Sequence, residues 1–267
     1  MANTNRRIIT GVPPYKQDYI YNSKGEKIMA GCGPVAALML LAYYDRRYGY
    51  KKLIASTYEE TTSMPDELIV ELRQAMSTID VQNKTQALTL PTEFKSGLKS
   101  FINQHYEVDI DTKASTGLNT LKDVFDESVG LINSGKVHVM LLDWDNNGVL
   151  FPSHYVVVVG YRRDGDNMQL IVNAGFGGDF HIVDMTDEKV NPARLYWIEI
   201  KSNPDGAQDG HQIGPKGNYN WDGAEGQKQL KPKLYKHFSN STTEWNKSDS
   251  LEFFVPNTDL RDCKWTE

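Results

Sequence analysis

Residues 35–44 read VAALMLLAYY, a stretch in which every side chain is apolar or aromatic. A helix made of such residues has no polar stripe to turn toward water, so it must sit at the centre of a domain with apolar neighbours on every side. Pro34 suits the first helical turn, where a missing N–H costs nothing. The first charges, Asp45, Arg46 and Arg47, mark the point where this helix emerges into solvent. A chain of 267 residues is long enough to build one large domain, or a domain with a small appendage, around it.

Three more helices are expected, at Pro65–Thr78, Pro91–His105 and Leu118–Asn133. Ser63 would cap the first, Asp66 and Glu67 would occupy its opening turn, and Gly135 would stop the third. The period then changes. VHVMLLDW (137–144), SHYVVVVGY (153–161), MQLIVNAG (168–175) and RLYWIEI (194–200) are β-branched and aromatic runs between polar turns. They read as strands, with RRDGDN as a hairpin turn between the second and third. Helices first and an antiparallel sheet afterwards make an α+β fold, with the buried helix packed on the sheet. Residues 203–227 are rich in Gly, Asn and Gln and read as a long loop, before strand candidates at 234–239 and 250–255. The expected division is a domain over 1–202 and, over 203–267, a loop with a C-terminal β extension packed on the same domain.

Composition removes several classes of function. Twenty-nine Lys and Arg against 35 Asp and Glu leave a net charge of -6 without basic blocks, which argues against nucleic acid or an anionic membrane as partner. Two cysteines, Cys32 and Cys263, are too few for a disulfide framework or a four-ligand zinc site. The histidines show no metal-ligand spacing, so neither a metal nor a cofactor is expected. NAGFGG (173–178) follows a strand but opens no helix, which removes a dinucleotide reading. No apolar run approaches the ~20 residues of a membrane span. MANTNRRII contains no signal-peptide core, as expected of a cytoplasmic chain or an exported one whose leader has been removed.

The chemistry concentrates at the start of the buried helix. Cys32, in MAGCGPV, stands where exposed N–H groups and the helix dipole favour an anion, so its thiol should ionise easily and act as a nucleophile. The flanking glycines would let a substrate backbone approach the sulfur. A lone cysteine is more commonly a small buried hydrophobe, so the case needs a base nearby. His154 is the candidate, at the start of the strand HYVVVV. If the hairpin turns near Arg163–Asp164, Asn173 on the next strand faces His154 and its amide can orient the imidazole.

GCGPVAALMLLAYYD, GKVHVMLL, SHYVVVVGY and IVNAGFGG together resemble the papain-like cysteine peptidases of the C39-like group. The resemblance spans about residues 12–200, with 50–120 similar in helical character only. It implies a papain-like fold, Cys32 as nucleophile, His154 as base and Asn173 as orienting residue. Members of that group often carry Asp at the third place. The Asn here departs toward the papain form, which weakens stabilisation of a charged histidine but keeps the tautomer role. VPPYKQ looks like the run that opens many such domains, which implies that the amide of Gln17 helps bind the oxyanion. A peptide or protein would then be the substrate, cleaved through an acyl-enzyme thioester. A thioester-forming acyltransferase or transglutaminase-like enzyme, or a silent binding module on the same fold, stays open beside it.

Overall fold

The computed structural model describes residues 5–9, 12–48, 64–81, 86–105, 110–114, 120–146, 149–176, 179–187, 190–200 and 233–237. Helix α1, Cys32–Tyr48, is the expected central helix, and no residue from Val35 to Tyr44 is more than 2% exposed. Helix α2 is Asp66–Ala75, α3 is Pro91–His105 and α4 is Leu121–Asn133. Two helix starts differ from expectation. Pro65 precedes α2 with no side-chain cap, and Ser63 lies outside the described residues. Helix α4 begins at 121 because Thr120 forms a reciprocal capping box with Asp123, which satisfies two N–H groups the helix leaves open.

Short strands precede and separate the helices: β1 (Asn5–Ile8), β2 (Tyr19–Tyr21), β3 (Lys27–Met29), β4 (Ile79–Val81), β5 (Gln86–Leu88) and β6 (Ile110–Ala114). None was expected, since runs of three to five residues carry little periodicity. The expected strands are β7 (His138–Asn146), β8 (Val149–Asp164), β9 (Asn167–Asn173) and β11 (Val190–Ile200), joined by the unforeseen β10 (Asp179–Asp184). β12, Lys233–His237, runs parallel to β10, while the candidate at 250–255 lies outside the described residues.

Among the described residues the main sheet runs β12-β10-β9-β8-β7-β11-β6, antiparallel except at β10–β12. β9 lies along one edge of β8, and β7 and β1 share the other. Every residue from His154 to Tyr161 is buried. Since successive strand side chains point to opposite faces, both faces of β8 are covered. α1 packs on β8 and β7, and α4 packs on β8 and β11. This is the α+β arrangement expected above, a buried cysteine-bearing helix on an antiparallel sheet.

The hairpin register differs from expectation. The turn falls at Gly165–Asp166, with Asp164 opposite Asn167, and Gly165 adopts φ 60° there. A one-residue shift between Val158 and Gly160 takes back part of that displacement, and Val157, not His154, lies opposite Asn173. The later turn therefore separates the pair, and the bulge offsets it only in part.

Candidate active site

Cys32 is the first residue of α1 and is half-buried. Gly31, just before it, turns the chain with φ 88°, a conformation open to glycine at little cost. Gly33 is also required by packing, because a methyl group there would come within 2.7 Å of Thr89 Oγ1, just after β5.

His154 opens the buried half of β8 and is hydrogen-bonded to Cys32. Burial by itself pushes the Cys32 thiol up. The hydrogen bond and charge of His154, with the N–H groups of Tyr155 and Gly33, outweigh it and bring the thiol below its ordinary range. Burial likewise pushes His154 down, and the bond to Cys32, its charge and the Ala174 carbonyl reverse that, so the imidazole is raised. The two groups favour each other's charged form, the pattern of a thiolate–imidazolium pair.

A main-chain group also meets the imidazole. His154 Nε2 lies 2.9 Å from the carbonyl oxygen of Ala174. A carbonyl only accepts, so Nε2 carries a hydrogen and Nδ1 is left to face the thiol. Asn173, 1% exposed, turns its amide elsewhere. Its Oδ1 accepts from the Gly175 N–H at 3.1 Å and its Nδ2 donates to the Pro13 carbonyl at 3.2 Å. Asn173 thus holds the chain on both sides of Ala174. Phe176, next along, stacks flat on the His154 ring, with centroids 5.3 Å apart and planes 7° from parallel. Its edge meets the buried His181.

Gln17 lies beside this turn. Its N–H donates to the Gly175 carbonyl at 2.6 Å, and Lys16 forms a bridge with Phe176. A methyl group at Gly175 would touch both Gln17 and Val35 of the first turn of α1. One residue on, the Asp18 carbonyl accepts from Ala30 N–H. Gln17 therefore stands between the loop that holds His154 and the segment that leads into Cys32. Its Oε1 is buried without a hydrogen-bond partner among the described residues.

Four positions of the sequence reading, Cys32, His154, Asn173 and Gln17, thus lie around one junction of α1, β8 and the chain leaving β9. The Ala174 carbonyl and the Tyr155 N–H escaped it, because a main-chain group leaves no mark on residue type. Phe176 was legible only as an aromatic in a small-residue run. Among the described residues, no group of three or more His, Cys, Asp or Glu side chains is placed to hold a metal ion, and no helix is long and apolar enough to cross a membrane.

Residues 9–202 match the model of the Peptidase_C39 like family. No curated protein matches the chain. Among solved structures, active wild-type interpain A, a cysteine protease of Prevotella intermedia, aligns with 14% identity and a TM-score of 0.47, covering 72% of this chain and 94% of that one. A fragment of prointerpain A from the same organism aligns with 13% identity and a TM-score of 0.45, covering 76% and 77%.

Proposed function

The chain belongs to the Peptidase_C39 like family, and on that premise we propose that it hydrolyses a peptide or other amide bond at Cys32. The observation that carries this reading is the pairing of Cys32 with an imidazole held from its far side by Ala174. The thiolate attacks the substrate carbonyl, and the electron pair of the C=O bond moves onto oxygen. The Cys32 N–H, one of the first-turn donors with no partner within the helix, and the Gln17 amide stabilise that oxyanion. Collapse breaks the C–N bond, with the imidazolium of His154 giving its proton to the departing amine. A water molecule then loses a proton to His154 as it attacks the thioester, and Cys32 leaves as thiolate with the acid product. Asn173 acts through the backbone, holding Pro13 and Gly175 so that the Ala174 carbonyl stays on Nε2. The catalytic unit in this reading is residues 1–202.

A peptide-library digest followed by mass spectrometry tests it. Wild-type protein should cleave amide bonds, and Cys32→Ala should cleave none. Repeating the digest with an added primary amine reads the fate of the acyl group: free acid supports hydrolysis, whereas an amide of the added amine as chief product replaces it with acyl transfer. Absence of both products with wild type sinks the reading.

A further inference from the structure

Arg73, near the end of α2, is 6% exposed, an unusual place for a guanidinium unless its donors are taken. Its Nη2 meets Asp80 Oδ1 on β4 at 2.6 Å. Its Nη1 donates to the Met29 carbonyl at 2.5 Å and reaches the Ala30 carbonyl at 3.4 Å. Met29 and Ala30 immediately precede the Gly31 turn that delivers the chain into Cys32. The same short segment is held at a second point, where Ala30 N–H donates to the Asp18 carbonyl beside Gln17. Around Gly31 the remaining space is closed by Ala87 and Thr78, which a side chain there would meet at 3.1 and 3.5 Å.

We propose that Arg73 is a positioning residue for the nucleophile, its guanidinium, braced by Asp80, holding the Met29 and Ala30 carbonyls and so setting the peptide that brings Cys32 to His154. Only a planar fork can reach a carboxylate with one nitrogen and main-chain carbonyls with the other in fixed geometry. A lysine at this position keeps the charge but presents it at one point. The inference rests on Cys32 being the nucleophile proposed above, and it adds a residue from a helix that contributes no side chain to the reacting groups.

The test compares wild type, Arg73→Ala and Arg73→Lys by two readouts. One is the rate at which iodoacetamide labels Cys32 at about pH 6, followed by peptide mapping, where an ordinary thiol is largely protonated. The other is kcat and KM on a cleaved peptide, counted per Cys32 that labels, so that unfolded protein does not enter. Arg73→Ala should slow labelling on the order of 10-fold and lower kcat roughly 10- to 100-fold with KM within about twofold, since small displacements of reacting groups have effects of that size. Arg73→Lys should fall between. Wild-type labelling and wild-type kcat per reactive site in Arg73→Ala would overturn the proposal, however far its melting temperature falls, because a residue that only stabilises the fold moves neither. If Arg73→Ala does not fold, Arg73→Lys is decisive, and wild-type values there overturn the proposal. A wild-type protein that cleaves no amide, yet whose Cys32 slows on substitution of Arg73, sinks the peptidase reading and leaves this one standing.

Discussion

His154 Nε2 sits 2.9 Å from the carbonyl oxygen of Ala174, and this contact places a main-chain dipole where a triad would hold a side-chain amide or carboxylate. The bond fixes the tautomer as Asn would. It differs in what can disturb it, because no substitution at position 174 removes the carbonyl. The acceptor is lost only if the backbone around it moves. Pro13, Asn173, Gly175 and Gln17, which hold that backbone, thereby become relevant to the imidazole without touching it.

Cys32 should label with iodoacetamide at about pH 6 at least ~10-fold faster than the same cysteine in denatured protein, since the His154 hydrogen bond and charge lower its thiol from the ordinary range. His154→Ala should erase most of that advantage, because the imidazole is the main group that lowers the thiol. Cys263, outside the described residues, provides an internal comparison in the same digest. Equal native rates for Cys32 and Cys263 would remove the case for an activated nucleophile.

Asn173→Asp should be costly although a carboxylate is nearly isosteric. Nδ2 now donates to the Pro13 carbonyl, and a carboxylate oxygen placed there would face another acceptor in a buried site. The loss should be about 1–3 kcal/mol of stability with a reduced kcat. Asn173→Ala should lose both bonds and show a similar pattern. Thermal melts and turnover measured side by side check this, and an Asp variant matching wild type in both would return Asn173 to direct contact with the imidazole.

Gln17→Ala should lower kcat by 10²- to 10³-fold, about 3 kcal/mol, with KM little changed, as expected for loss of a donor that acts on the oxyanion. Cys32 labelling should stay close to normal, because His154 and the N–H groups of Tyr155 and Gly33 set the thiolate. Normal turnover in this variant would leave the hole to main-chain donors alone.

A pH dependence of stability should come from His138, which is buried away from the site, with Nε2 3.0 Å from Ser128 Oγ. Burial holds this imidazole down at about 4, against 6.5 for an ordinary histidine. The unfolded chain therefore takes up a proton first as the pH falls. Stability is complete above about 6.5 and is lost toward about 4, at roughly 2 kcal/mol between pH 7 and 5. His138→Leu should be less stable than wild type at pH 7, having lost the bond to Ser128, but should show a shallower decline on acidification. Urea melts at the two pH values compare the slopes. Identical slopes would mean that His138 does not contribute this acid sensitivity.

Much of the scaffold was legible in residue order. The apolar run 35–44 announced a helix buried on all sides, Pro34 marked its first turn, and the valines after His154 marked a strand. Those signals are local, because periodicity and side-chain type act within a few residues. The strands β1 to β6 and β10 were illegible for the complementary reason. They are short, and what makes them strands is a partner elsewhere in the chain.

Residue identity alone said which side chains were available for chemistry: a thiol at a helix start, an imidazole leading a strand, and amides at Asn173 and Gln17. How they are wired depended on contacts between distant segments. The turn at Gly165–Asp166 moved Asn173 away from the position opposite His154, and Ala174 met the imidazole with its carbonyl. Arg73 reached the chain before Cys32 from a separate helix. Register and main-chain contact depend on how distant segments pair, and every residue carries the same carbonyl, so neither can be read from residue type.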